Sequence, residues 1–156
     1  MLQDHEFFLQ CDPHMTKFEK VPDKKPTVPI PESVKPTGSG EDTYSVTDLV
    51  HAVPAGLWDS NVVSVYEFTD TEDGVFVRIR SPLAVVLDTI WTITGEDGSL
   101  EMVEEATIVC SRLLVSFVKS QCEGGWEEIH AKMIARLKDE AKPSACPTVG
   151  PSSKAT

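Results

Sequence analysis

Between Tyr44 and Val109 the apolar residues recur at about every second position, and beyond Arg112 they recur every third or fourth. The first period is that of a half-buried β-strand and the second that of an amphipathic helix. The alternation is interrupted at Pro54-Ala55-Gly56, at Asp70-Thr71-Glu72-Asp73-Gly74 and at Gly95-Glu96-Asp97-Gly98, residue types that supply turns. The pattern predicts strands over Tyr44–Val53, Asn61–Phe68, Val75–Arg80, Val85–Ile93 and Leu100–Val109. One long helix follows, with a stripe through Leu114, Phe117, Val118, Gln121, Cys122, Trp126, Ile129, Met133 and Leu137. Gly124-Gly125 in its middle predicts a kink or a close approach to the sheet. Strands first and a closing helix last is an order in which a curved antiparallel sheet grips a helix around an apolar interior, so the expected class is α+β.

The first forty residues carry weaker signals. Leu2, Phe7, Phe8 and Leu9 predict a short helix over Leu2–Gln10, which Pro13 ends because proline disfavours helical geometry in the residue before it. Met15, Phe18 and Val21 predict an edge strand over His14–Val21. Pro22–Gly40 holds five prolines and two glycines and reads as an extended surface loop. After Lys142 the composition falls to Pro, Ser, Thr and Ala. The expectation is one domain over 1–142 and a disordered tail over 143–156.

Strand alternation then assigns faces. Pairing Ile93 with Leu100 sets Trp91 opposite Met102, Thr89 opposite Glu104 and Leu87 opposite Ala106 on one apolar side. Pairing Phe68 with Val75 gathers Phe68, Tyr66, Ser64 and Val62 with Val75, Val77 and Ile79, while Arg78 and Arg80 point outward towards Asp88 and Glu105. The concave surface is therefore expected to be lined by Tyr66, Ser64, Phe68, Trp91, Met102 and Glu104. Phe117 and Trp126 come from the helix above, and Trp58 lies in a loop at the mouth. An apolar pocket with a few convergent polar groups is the usual form of a small-molecule site. Aromatic and Met stripes at this spacing are nevertheless more often simply core. Glu104 bears on the choice, because a lone carboxylate on an apolar face costs several kcal/mol unless paired or protonated. Either it is functional or the register is wrong.

Charge and composition narrow the partners. With 25 acidic against 14 basic residues the formal charge is −11, which repels polyphosphates and anionic headgroups. Nucleic acid and membrane insertion are not expected, and no apolar run is long enough to span a bilayer. Cys11, Cys110, Cys122 and Cys146 are scattered, as expected of reduced thiols in a cytoplasmic protein. His5, His14, His51 and His130 show no ligand spacing, and no metal site is expected. The chain has no nucleophile elbow, phosphate loop or dinucleotide fingerprint.

Several stretches carry a resemblance: Leu2-Gln-Asp-His-Glu-Phe-Phe-Leu-Gln-Cys-Asp-Pro-His-Met15, Pro54-Ala-Gly-Leu-Trp-Asp-Ser-Asn-Val-Val63, Gly74-Val-Phe-Val-Arg-Ile-Arg-Ser-Pro82, Cys110-Ser-Arg-Leu-Leu114 and the Cys122–Ile134 helix. Together they resemble a fungal family of uncharacterised domains with START or polyketide-cyclase helix-grip architecture. That architecture normally opens on a strand before its first helix, and the resemblance implies that this strand is missing or replaced and that one sheet edge is open. Members occur in secondary-metabolite clusters, and the resemblance implies an intramolecular cyclase of the Diels–Alder type acting on an apolar terpenoid. Such chemistry needs no cofactor; a cavity and a hydrogen-bond donor on a conjugated carbonyl suffice. Tyr66 and Glu104 are then the candidate catalytic donors, and Trp58, Ser64, Phe68, Trp91, Met102, Phe117 and Trp126 the candidate substrate contacts. The competing expectation is a carrier that holds a lipid or terpenoid in the same cavity without transforming it.

Overall fold

The computed structural model describes residues 1–22, 29–51, 59–96 and 99–141. The elements run α1 (His5–Gln10), β1 (Met15–Val21), β2 (Pro36–His51), β3 (Asp59–Thr71), β4 (Gly74–Ser81), β5 (Val85–Glu96), β6 (Ser99–Val109) and α2 (Val115–Glu140). All six strands form one antiparallel sheet in the order β1-β2-β3-β4-β5-β6, so each pairs with its neighbour in sequence. The sheet curves around its helices. Its edges are β1 and β6. The expected turns at Pro54-Ala55-Gly56 and Asp97-Gly98, the expected place of Trp58 and the 143–156 tail lie outside the described residues, as does the last part of the first predicted strand.

Both predicted hairpin registers are off by two residues. Phe68 pairs with Val77 rather than Val75, and Thr71 pairs with Gly74, so only Glu72 and Asp73 form the turn. Ile93 pairs with Met102 rather than Leu100, and Trp91 rather than Thr89 lies opposite Glu104. In each case the strands run further into the polar turn residues before reversing. Because side chains alternate with a period of two, a slip of two leaves every residue on its assigned face. Tyr66, Phe68, Val75, Val77 and Trp91 are accordingly buried together with Tyr44, Val46 and Met133 in the core under the helices.

The opposite face differs from expectation in two places. Arg78 turns away from the core but is only 6% exposed. Its Nε and Nη2 donate to the two carboxylate oxygens of Asp88, each at 2.8 Å, and its Nη1 donates to the Pro29 carbonyl at 3.2 Å. Arg80 meets Glu67 across the β3–β4 pair, not Glu105. The Pro22–Gly40 segment is therefore not wholly a surface loop. Pro29 lies against Arg78, Val34 is buried, and β2 already begins at Pro36, with an irregularity between Pro36 and Glu41.

The helices close the concave face unequally. Asp4 caps α1, three residues later than the predicted start, by accepting from the Phe7 amide. His5 then points into the sheet, with Nδ1 3.0 Å from Asp42 Oδ2 and Nε2 2.9 Å from Asp70 Oδ1, stacked 4.5 Å from the Phe68 ring. The last half of α2 packs on α1: Lys132 Nζ donates to the Cys11 carbonyl, and Arg136 bonds Asp4 and lies 4.1 Å over the Phe7 ring. The helix runs through Gly124-Gly125 without interruption, and Gly125 is buried where an added Cβ would sit 3.8 Å from the His14 ring. Neither the kink nor the close approach to the sheet expected of that pair is found: an added Cβ at Gly124 would meet nothing within 4 Å, and Gly125 faces His14 and the cavity and not a strand. With its last half held on α1, the first half of α2 lies over the sheet with open space beneath it.

Candidate functional site

That space is a cavity of about 310 Å³. Its floor is the concave face of β2 to β6, its roof is α2 from Leu114 to Ile129, and its inner end is closed by Phe8, Leu9 and Met15. The volume lies near the lower end of the range for small-molecule sites. One rim is the β4–β5 turn, where the Val85 amide donates to the Pro82 carbonyl at 3.4 Å. Leu83 and Ala84 stand there at φ 61° and 57°, the left-handed geometry that tight hairpins require and that non-glycine residues adopt at a cost of about 1–2 kcal/mol each. Leu83 is 75% exposed beside the cavity, and Phe117 is half-exposed at the start of the roof.

Five of the sequence-predicted site residues line this cavity: Tyr66, Trp91, Glu104, Phe117 and Trp126. Three described ones do not. Phe68 is fully buried, because α1 covers that end of the sheet and sets His5 and Phe8 against its ring. Ser64 is buried with its hydroxyl 2.8 Å from that of Ser81, and it is the Ser81 side that meets the cavity. Met102 packs against the core beside Ile93, since the register shift puts Glu104 in the place next to Trp91 that Met102 was expected to take. Trp58 lies outside the described residues.

The cavity wall carries several polar groups, three of them acidic. Asp12, Asp48 and Glu104 line it, and no lysine or arginine does among the described residues. Glu104 has one oxygen, Oε2, 2.7 Å from His130 Nε2, and the imidazole in turn sits edge-on to Trp91 at 5.2 Å. Burial pushes the Glu104 carboxyl up, and the hydrogen bond and charge of His130 oppose this. The side chain of Glu104 is 9% exposed and that of His130 is 38% exposed, so the pair reaches from the cavity wall to solvent. Glu104 stands on the apolar face although the register is off by two, and His130 gives it the partner that a carboxylate there needs.

Asp48 is the site residue that sequence reasoning missed. Tyr44, Val46 and Asp48 alternate along β2, so the strand carries the carboxyl onto the same face as the two buried residues before it. The Tyr66 hydroxyl donates to Oδ2 at a long 3.5 Å, and Oδ1 is buried with no hydrogen-bond partner. Burial first, and the charge of Asp12 second, raise its pKa to about 6. Tyr66 is pushed well above the phenol range by burial and by Asp48 and Asp12. The Trp91 indole N–H donates to the Thr89 hydroxyl at 3.2 Å. Neither Tyr66 nor Trp91 therefore holds a free donor towards the cavity.

The Asp48 shift has a consequence for stability. A carboxyl whose folded pKa is raised above its unfolded value favours the folded state fully below the unfolded value, and that contribution is lost as pH rises through the folded one. Here the window runs from about pH 4 to about pH 6. Asp48→Asn is expected to be more stable than the parent at pH 7 by about 1–2 kcal/mol, after allowing for partial exposure, with the gap closing near pH 4. Urea unfolding at the two pH values checks this, and a parent that is as stable as the variant at pH 7 would refute it.

The chain belongs to the family described as domain of unknown function DUF7053, whose model matches residues 1–139. No curated protein and no solved structure matches it. Among the described residues no helix is long and apolar enough to cross a membrane.

Proposed function

We propose that this member of the DUF7053 family is a cofactor-independent intramolecular cyclase of the Diels–Alder type, acting on an apolar terpenoid intermediate held in a START-like helix-grip cavity. The observation that carries the reading is the 310 Å³ cavity between the sheet and α2, walled by Trp91, Phe117, Trp126 and aliphatic side chains with carboxyls at only a few points. A cycloaddition asks for little else. Folding a diene against its dienophile in a near-attack geometry supplies several kcal/mol, and a hydrogen bond to a carbonyl conjugated with the dienophile adds stabilisation that grows in the transition state. The resemblance drawn from the sequence points the same way, to fungal secondary metabolism and to a norbornene-forming step of the kind found in sordarin-type diterpenoids.

The test is the closure of a terpenoid cyclopentadiene tethered to an enal, the pairing that gives a norbornene. Rate and stereoisomer ratio are measured with and without protein. Acceleration with one isomer enriched is expected. Tyr66→Phe should slow the reaction by less than about tenfold, because the hydroxyl is directed at Asp48 and acts on substrate only through it. A second reading, carriage without chemistry, is favoured by one observation: the Tyr66 and Trp91 donors are already used within the protein. Tight binding of the tethered substrate with unchanged rate and isomer ratio would leave the carrier as the function.

A further inference from the structure

We propose that the cavity continues past its mouth into an outer subsite, formed by Leu83 of the β4–β5 turn and Phe117 of α2, which takes the tail of an isoprenoid whose reacting end is enclosed. The inference rests on the reading of the cavity as a small-molecule site and adds where a long ligand lies. Pairing of Ser81 with Val85 and of Val86 with Val109 sets the β4–β5 turn beside the end of β6, and α2 begins a short connection after Val109. The turn and the start of the roof therefore stand at one end of the sheet, away from the end that Phe8 and Leu9 close. Leu83 and Phe117 both border the cavity, yet they are 75% and 39% exposed. No residue of α2 before Gly125 is buried, so the roof stands off the sheet there and the cavity opens between the two.

Leu83 is the less expected of the pair. At φ 61° it holds a left-handed geometry that asparagine or glycine adopts at less cost, and with its side chain mostly in solvent it gains too little burial within the protein to offset this. A strained, exposed, apolar residue at a cavity mouth has its contact to make with what enters. Volume supplies a second, independent argument. An apolar cavity of about 150 Å³ takes one benzene ring, so 310 Å³ encloses roughly a dozen carbons. A geranyl chain fits inside, a farnesyl chain about fills the space, and a geranylgeranyl chain overruns it. The overrun needs an apolar surface outside the mouth. No charged residue occurs in 81–87 or in 113–118, the stretches that carry Leu83 and Phe117, so the subsite takes a hydrocarbon tail and not a headgroup. The reacting end then lies inside, near Trp91 and Glu104, and the outer end of the substrate is free to vary.

Geranyl, farnesyl and geranylgeranyl acetates share a neutral head and grow by one isoprene unit at a time. Their binding to the full chain is followed by tryptophan fluorescence below the solubility limit of each. Farnesyl acetate should bind far more tightly than geranyl acetate. Geranylgeranyl acetate should bind about three- to tenfold more tightly again, well short of the roughly hundredfold or more that complete burial of another isoprene unit would give. Leu83→Asn suits the left-handed geometry and should leave the unfolding midpoint unchanged or raised. It should nevertheless remove that last gain, while altering the binding of geranyl acetate least, and Phe117→Ser should reduce the gain as well. Each ligand is compared with itself in parent and variant, so its own tendency to leave water cancels. Geranylgeranyl acetate binding the parent no more tightly than farnesyl acetate would overturn the inference, as would a Leu83→Asn variant that lowers all three affinities by one factor. In both cases the cavity remains the site of the shorter esters. A last gain of roughly a hundredfold or more would overturn it too, since the roof would then enclose the whole chain. Failure of all three esters to bind overturns the cavity reading, and this inference with it.

Discussion

Replacing Trp91 by alanine is expected to destabilise the protein by about 3–5 kcal/mol, the range for emptying the space of a buried aromatic side chain. For a domain of this size that is a fall in the unfolding midpoint of roughly 10–15 °C. The expectation follows from where the indole sits. It is 3% exposed, edge-on to Phe8 of α1 at 5.3 Å and to His130 of α2 at 5.2 Å, and its N–H is held by Thr89. One side chain on β5 thus touches both helices that close the sheet and also walls the cavity. Alanine would merge the vacated volume with the existing cavity, and the lost contacts could not be recovered by collapse because α1 and α2 are fixed to each other elsewhere. Trp91→Phe should cost much less. Leu113→Ala is the control, since Leu113 is 94% exposed and its truncation should move stability by less than about 0.5 kcal/mol. Thermal or urea unfolding that gave Trp91→Ala and Leu113→Ala the same small shift would mean that the indole does not join the layers.

Much of this arrangement was legible in the chain, and the parts that were not have two physical reasons. The strand faces were readable because burial imposes the alternation itself. Tyr66, Trp91 and Glu104 stand on the concave side despite two misplaced registers. The registers were not readable because Asp, Glu and Gly suit both a turn and the solvent end of a strand, and nothing local says that Thr71 and Gly74 still pair. The errors at Phe68, Ser64 and Met102 have a different origin. Sharing a face does not settle which helix covers which stretch of it, and α1 takes the Phe68 end through His5, whose partners Asp42 and Asp70 are distant in sequence. Asp48 could have been found, since it continues the alternation of Tyr44 and Val46 as Glu104 interrupts the apolar residues of β6. His130 has no ligand spacing to mark it in the sequence. It lies four residues beyond Trp126 on α2, and that helical offset brings it over Glu104.

If the Glu104 carboxyl polarises the dienophile carbonyl, Glu104→Leu, which removes the donor, is expected to lower the rate of cyclisation about ten- to a hundredfold while changing substrate binding much less. This corresponds to a hydrogen bond stronger by about 1.5–3 kcal/mol in the transition state than in the ground state. The protonation state decides the form of the experiment. Burial favours the neutral acid, which donates, and His130 favours the carboxylate, which does not. His130 does not line the cavity and so serves as a positioning residue, setting how far up the pH scale the donor form persists. Removing it by His130→Ala takes away the opposing hydrogen bond and charge, and the Glu104 pKa should rise further. Activity should then extend to higher pH than in the parent, with the limb of the profile displaced upwards. An acid limb in its place, with activity appearing only as the carboxylate forms and His130→Ala moving that onset to higher pH, would identify Glu104 as a base and not a donor, and would exchange cycloaddition for a reaction that begins with proton removal. A profile unmoved by His130→Ala, together with an unchanged rate in Glu104→Leu, would take both residues out of the chemistry and leave the cavity walls to account for whatever the protein does to its ligand.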